Sequence, residues 1–301
     1  MSDLKLKDLR YLVNLADERH FGRAAQRSFV SQPTLSAQLK KLETYLGVQL
    51  IERQPKQVTL TEAGEQIVAR ARRILEASDE VITLARAHRD PLAGKLRMAL
   101  LPTIGPYLLP RVAREIHKAL PRLELQLYEY QTVPMLEKLS SGQIDLGVLA
   151  LPVDLEGLES RPLYDEPFTL AMPAQHKLAK KKDVKVDDLH DETLLLLEDG
   201  HCLRDQALEV CAGVGMQEKT DFRATSLETL RQMVATGAGV TLLPELASRS
   251  AYGGGTRDIV LRPFVKPAPV RHVGAVWRKT TARRPAIDAV CKIIEKHTTL
   301  A

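Results

Sequence analysis

Apolar positions near the start of the chain recur at helical spacing. Leu6, Leu9, Leu12, Val13 and Ala16 form one stripe and predict a helix over 4–16. A second, shorter helix is predicted from Phe21 to Arg27, where Ala24 and Ala25 are small enough to let a neighbouring helix cross closely. A third follows at once: Ser31 can cap it, Pro33 suits its first turn, and Gly47 stops it. Leu35, Leu39, Leu42 and Leu46 form its buried face, while Thr34, Ser36, Gln38, Lys40 and Lys41 fall largely on polar faces. Residues 50–61 read as a short hairpin around Gln54-Pro55-Lys56.

The pattern then changes scale. Thr61 can cap a long helix whose first turn holds Glu62 and Glu65. Ile67, Ile74 and Val81 recur every seven residues, with Ala71, Ser78 and Ala85 between them and Val68, Leu75 and Ile82 widening the stripe. Such a seam predicts a dimerising helix ending near His88, with packing against its own domain as the alternative. Asp90-Pro91-Leu92-Ala93-Gly94 stops it and supplies a hinge. Beyond Gly94, strands are predicted over 96–101, 123–130, 145–150, 168–172, 240–243 and 272–277. Helices are predicted over 106–119, 133–140, 203–211, 226–235 and 285–297. This alternation argues for an α/β fold with both sheet faces covered. Gly253-Gly-Gly255 reads as a surface loop.

At 301 residues the chain has room for two or three domains, and 44% hydrophobic residues suffice for proper cores. The charged start lacks the apolar core of a signal peptide. The longest all-aliphatic stretch is Leu194 to Leu197, far short of a membrane span. A cytoplasmic protein is expected. The net charge of +5 is uneven: residues 1–61 hold ten Lys and Arg against six Asp and Glu, leaving a net of only +1 for the rest. A basic N-terminal region suits contact with an acidic polymer, although a solvated basic surface fits as well.

Three cysteines in a reducing compartment do not form a disulfide framework, and the histidines form no metal-spaced cluster. No metal or cofactor is expected. Cys202 and Cys211 lie nine residues apart on a predicted helix, Cys202 following His201 and preceding Arg204 near a helix start. A helix N-terminus and neighbouring cations favour the reactive thiolate. On one straight helix the two Cα atoms stand roughly 13 Å apart, whereas a disulfide needs them within about 7 Å. Pairing them would require the segment to refold. Spacing alone fits equally well with two buried cysteines on a core helix. Cys291, beside Val290 and Ile294 on the last helix, reads as core.

The first 64 residues resemble the winged helix-turn-helix of LysR-type regulators through Phe21-Gly-Arg-Ala-Ala25, Val30-Ser-Gln-Pro-Thr-Leu-Ser36, Leu39-Lys-Lys-Leu-Glu43, Leu46-Gly47 and Thr59-Leu-Thr-Glu-Ala-Gly64. The resemblance extends to the end of the chain. It implies a DNA-binding domain over 4–61, a linker and dimerisation helix over 62–90, and an effector domain over 91–301. That effector domain is expected to be an α/β fold like that of periplasmic binding proteins. Its two subdomains are expected over roughly 95–164 plus 269–301, and over 165–268. Gln32, Thr34, Ser36, Gln38 and Lys40 are the expected DNA contacts of the third helix, and Arg53 grips phosphate from the wing.

Within that family the effector region resembles the peroxide-sensing OxyR subfamily. The residues that carry this are Leu101-Pro-Thr-Ile-Gly-Pro-Tyr-Leu-Leu-Pro110, Glu198-Asp-Gly-His-Cys-Leu-Arg-Asp-Gln-Ala207 and Phe222-Arg-Ala-Thr-Ser-Leu-Glu-Thr-Leu-Arg231. The resemblance implies that Cys202 is peroxidatic and Cys211 resolving, closing a reversible disulfide, with Thr103, Thr132, His201 and Arg271 holding the peroxide. The implied partners are promoter DNA, a second copy through residues 62–88 (and a tetramer as a dimer of dimers), RNA polymerase, hydrogen peroxide as signal, and cytosolic thiol reductants. The implied protein is a regulator of antioxidant genes and not an enzyme. Two rivals stand beside it. One is a LysR-type regulator whose cleft binds a small metabolite; the other is a thiol peroxidase, which has no evident use for residues 1–61.

Overall fold

The computed structural model describes residues 4–54, 57–87, 90–212, 214–249 and 258–298, and the chain divides into two units, 1–89 and 90–301. Proposed wing-tip residues Pro55 and Lys56, the linker end at His88 and the glycine run at 253–255 lie outside the described residues.

The first unit is built on α1 (Leu6–Glu18), α2 (Phe21–Arg27) and α3 (Gln32–Leu46), followed by a hairpin of β1 (Ile51–Gln54) and β2 (Gln57–Leu60) and the long α4 (Glu62–Ala87). The leucine stripes do what their spacing predicts: Leu12, Leu15, Leu35 and Leu39 are buried together, with Ala24 and Ala25 at the close crossing. Ser31 caps α3, its Oγ accepting from the Thr34 backbone N–H at 3.3 Å. The turn between α2 and α3 passes through Phe29 in the left-handed region, at φ 54°.

Two motif residues show why they are needed. The Glu43 carboxylate accepts the backbone N–H groups of Leu50 and Ile51 at 2.9 and 3.1 Å, tying α3 to the start of the hairpin. Thr61 caps α4 through the Gly64 N–H at 3.0 Å, and at Gly64 a Cβ would stand 2.1 Å from the Leu50 carbonyl oxygen. Backbone meets backbone there, so no side chain can give way. Gly64→Ala is expected to lower the stability of this unit by about 1–3 kcal/mol, the usual range for overpacking. Urea unfolding should show this as an earlier transition of the first unit. An unchanged transition would mean that α4 can slide off Leu50 at no cost.

The long helix divides its apolar residues between two faces. Val68, Ala71 and Leu75 are buried, Ala71 and Leu75 against Leu9 and Val13 of α1. Ile74 and Val81 are exposed, at 43% and 66%. Ala71, expected in the dimer seam, is therefore occupied within its own unit.

The second unit follows α/β alternation: β3 (Gly94–Leu100), α5 (Gly105–Ala119), β4 (Leu123–Glu129), α6 (Thr132–Ser140), β5 (Leu146–Leu151) and β6 (Leu158–Pro173). After two 3₁₀ turns come β7 (Thr193–Leu197), α7 (Cys202–Cys211), β8 (Gln217–Ala224), α8 (Leu227–Ala235), β9 (Thr241–Pro244) and α9 (Glu245–Ser248). The chain closes with β10 (Ile259–Pro263), β11 (Val270–Arg278) and α10 (Arg284–Thr298). Strands β3 and β4 pair in parallel, as do β3 and β5, while β11 runs antiparallel between β5 and β6.

Strand β6 is far longer than the predicted 168–172. Its first part, from Leu158 to Pro167, pairs with β11, and from Phe168 onward it pairs with β9 and β10. It thereby runs from one hydrophobic core to another. The first core gathers Leu96, Leu108, Val148, Val276 and the α10 residues Ile287, Val290, Cys291 and Ile294; the second gathers Phe168, Leu170, Leu195, Leu203, Cys211, Leu230 and Leu242. The crossing of β6 and β11 sets the stage for the site. Among the described residues no helix is long and apolar enough to cross a membrane.

Candidate functional site

Cys202 is the first residue of α7 and Cys211 the last, so one continuous helix separates them. Both are free, Cys211 buried and Cys202 only partly so. Gly200, with φ 93°, turns the chain into the helix from a left-handed conformation that a side chain rarely adopts. Cys202 lines a cleft of about 650 Å³ together with Thr132, Gln206 and Arg271. Thr132 opens α6, and Arg271 is the second residue of β11.

Thr103 joins this group through Arg271, which donates from Nη1 to Thr103 Oγ1 at 3.3 Å and from Nη2 to the Thr103 carbonyl at 3.1 Å. Arg271 in turn is held by Glu166, which no reading of the sequence singled out. Its Oε2 accepts from Arg271 Nε at 2.9 Å and lies 2.7 Å from Nη2. His201 is placed differently. Its ring is buried, 3.9 Å from the Glu198 carboxylate, and it is not part of the cleft lining. Gln206, also unanticipated, does line the cleft, and its buried Oε1 has no hydrogen-bond donor among the described residues. Its place one turn after Cys202 on the same helix was the only available signal.

The electrostatics correct one expectation. The cations next to Cys202 in sequence do not activate it. Burial lowers the His201 pKa and keeps the ring neutral. Arg204 is committed to ion pairs with Asp199 at 3.0 Å and Glu218 at 2.9 Å. Burial pushes the Cys202 thiol above its ordinary value; the Arg271 charge and the nearby Thr132 hydroxyl pull it back, and Asp205 adds to the rise. Burial alone pushes the Cys211 thiol up to about 11. In this state the second sulfur is a protonated thiol enclosed among Leu203, Ala207 and other apolar neighbours. Burial thus favours the protonated form of both thiols, and Arg271 is the cation that favours the Cys202 thiolate.

On the first unit, Gln32, Thr34 and Lys40 are exposed on α3, with Ser36 and Gln38 half-buried beside them. Arg53 stands on β1 opposite Val58. Leu35 and Leu39 of the same helix face the core, so the polar residues of α3 lie on its other side.

Two family models match the chain: "Bacterial regulatory helix-turn-helix protein, lysR family" over residues 6–65, and "LysR substrate binding domain" over 89–299. A relative described as "DNA-binding transcriptional dual regulator OxyR", from Escherichia coli K12, is 45% identical over 294 residues, 97% of this chain and 95% of the relative. Among solved structures, full-length OxyR from Pseudomonas aeruginosa carrying a cysteine-to-aspartate substitution is similar with a TM-score of 0.82 and 40% identity, covering 99% of this chain and 97% of that one. A hydrogen peroxide-bound cysteine-to-serine variant of Corynebacterium glutamicum OxyR matches with a TM-score of 0.68 and 34% identity, over 97% of this chain and 92% of that one.

Proposed function

This chain belongs to the LysR family of bacterial regulators, within the group of hydrogen peroxide-inducible gene activators, and we propose that it is a DNA-binding transcriptional regulator that senses hydrogen peroxide through Cys202 and Cys211. The observation that carries the reading is the placement of the two cysteines at opposite ends of one ten-residue helix, the first on a cleft with Arg271 and Thr132. In the proposed chemistry the Cys202 thiolate attacks one peroxide oxygen, the O–O bond breaks, and hydroxide leaves as a sulfenic acid forms on Cys202. Arg271 offsets the developing hydroxide charge, and Thr103 and Thr132 orient the oxygens. Cys211 then attacks the sulfenic sulfur, losing its thiol proton, and water departs as the disulfide closes.

That second step cannot occur on the intact helix. Its ends are roughly 13 Å apart against a limit of about 7 Å, so the segment has to unwind first. Unwinding also brings Cys211 into water, which removes the burial that holds its proton. The refolded segment re-spaces the paired DNA-binding units along the promoter. Gln32, Thr34, Ser36, Gln38 and Lys40 read bases or backbone there, and Arg53 meets phosphate from the wing. A second copy docks along α4, RNA polymerase reads the altered complex, and cytoplasmic thiol reductants reset it. His201, buried at the start of α7, is the fourth proposed peroxide contact, its neutral imidazole able to hydrogen-bond a peroxide oxygen.

Footprinting on promoter DNA with reduced and then peroxide-treated protein tests the reading. A footprint that changes length or spacing on oxidation, and reverts with dithiothreitol, is the expected result. An identical footprint in both states would remove peroxide from the function. The cleft is larger than a peroxide molecule needs, which favours a metabolite-responsive regulator as the second reading. A footprint that ignores peroxide and shifts with a small organic acid would select it.

A further inference from the structure

Glu166 and Arg271 are direct cross-strand partners where β6 passes β11, and both are fully enclosed, at 0% and 2% exposure. The carboxylate uses both oxygens. Oε2 takes Nε and Nη2 of Arg271, and Oε1 accepts the backbone N–H of Leu246 at 2.7 Å. Thr103 takes one donor of Nη1 through its hydroxyl and one of Nη2 through its carbonyl, so the second Nη1 hydrogen is not used by either residue. Arg271 is therefore fastened by two separate segments, with Leu246 holding the carboxylate from a third, and its charge is balanced by the carboxylate that fastens it. A buried guanidinium without such a partner would be both costly and free to turn.

Resting on the reading of Cys202 as the peroxide-reactive thiol, we infer that Glu166 is a positioning residue for that reaction: it holds the Arg271 guanidinium in place at the Cys202 cleft and balances its charge. The carboxylate touches neither sulfur nor peroxide. Titratable groups near the pair include Tyr107 and Arg111 of α5 and Tyr164 of β6, with Arg231, Glu228 and Glu129 acting on Tyr107, while Cys202 itself faces Arg271 and Asp205 and follows His201. Burial raises both tyrosines, so neither supplies a competing anion at neutral pH. Glu166 is then the anion that balances Arg271. Direction follows from sign. Removing the negative charge while keeping an acceptor oxygen leaves the Arg271 cation uncompensated beside the thiol, which favours the thiolate.

Two variants separate aim from charge, read on the full chain by stopped-flow oxidation with hydrogen peroxide. The Cys202 titration is followed by pH-dependent iodoacetamide labelling, with mass spectrometry reporting each cysteine separately. Glu166→Gln is expected to move the Cys202 labelling midpoint down by about one pH unit, the scale of one lost charge partner. Glu166→Asp keeps the charge but withdraws it by one methylene, and is expected to slow peroxide oxidation about tenfold without lowering the midpoint. Should Glu166→Gln not fold, the paired variant Glu166→Gln/Arg271→Gln, which buries no net charge, takes its place. It is expected to oxidise slowly with a midpoint close to wild type, and fast oxidation there would overturn the proposal. Wild-type rate and midpoint in both single variants would also overturn it. If Arg271→Gln alone oxidises at the wild-type rate, the error lies in the role of Arg271 and not in its partner.

Discussion

Cys202→Ser is expected to abolish the response to peroxide, in oxidation and in the promoter footprint alike. A serine hydroxyl is not ionised at neutral pH and does not attack peroxide, so the loss is complete and not graded. Cys211→Ser behaves differently. Cys202 still reacts, but its sulfenic acid persists or over-oxidises because no second thiol arrives. In wild type, one equivalent of peroxide is expected to link Cys202 to Cys211 and leave Cys291 as a thiol, since Cys291 is fully buried in the first core and burial pushes its thiol up to about 12. Hydrogen exchange across 203–213 is expected to rise on oxidation, because the bond cannot close over an intact α7. Peptide mapping that places Cys291 in the disulfide would sink this mechanism, as would an exchange pattern unmoved by peroxide.

The second large effect lies in the first unit. Ile74→Asp is expected to leave that unit folded yet abolish the dimer and tight operator binding. Ile74 and Val81 sit on the face of α4 away from Leu9 and Val13, exposed in the single chain. A carboxylate at 74 is therefore solvated in the monomer. In a paired seam it meets its own copy without a counter-ion, and an unpaired buried charge costs about 3–5 kcal/mol, enough to weaken association by about two to nearly four orders of magnitude. Analytical ultracentrifugation reads the mass, and far-UV circular dichroism checks that the helices persist. A dimer of unaltered mass would show that the seam runs elsewhere. By contrast, Leu75→Asp would strike the packing on α1 and unfold the unit, which is why position 74 is the informative one.

Much of the architecture was legible because it is locally encoded. Leu9, Leu12, Leu35 and Leu39 repeat at the helical period, and each helix has only one way to bury such a stripe. Ser31, Pro33 and Gly47 bound α3 through backbone rules that need no distant partner. The strands that escaped notice lack that local signature. Leu194 to Leu197 is apolar without alternation, so periodicity says nothing, yet it is β7, buried on both sides in the second core. Strand β8 is mostly polar and, among the described residues, is paired by β7 alone, so its extended form depends on that neighbour. The first half of β6 is defined by β11, more than a hundred residues away.

The cysteine spacing, the helix stripes and the motif glycines are properties of neighbours along the chain, and covalent geometry with helical period was enough to read them. Electrostatics was not readable in that way. His201 and Arg204 flank Cys202 in sequence, but burial neutralises the one and Asp199 and Glu218 engage the other. The cation that faces the thiol, Arg271, and the carboxylate that aims it, Glu166, come from two strands whose register sets them side by side. Charges act through space and are scaled by burial, so the set of groups that act on Cys202 was decided only when the strands paired and water was excluded.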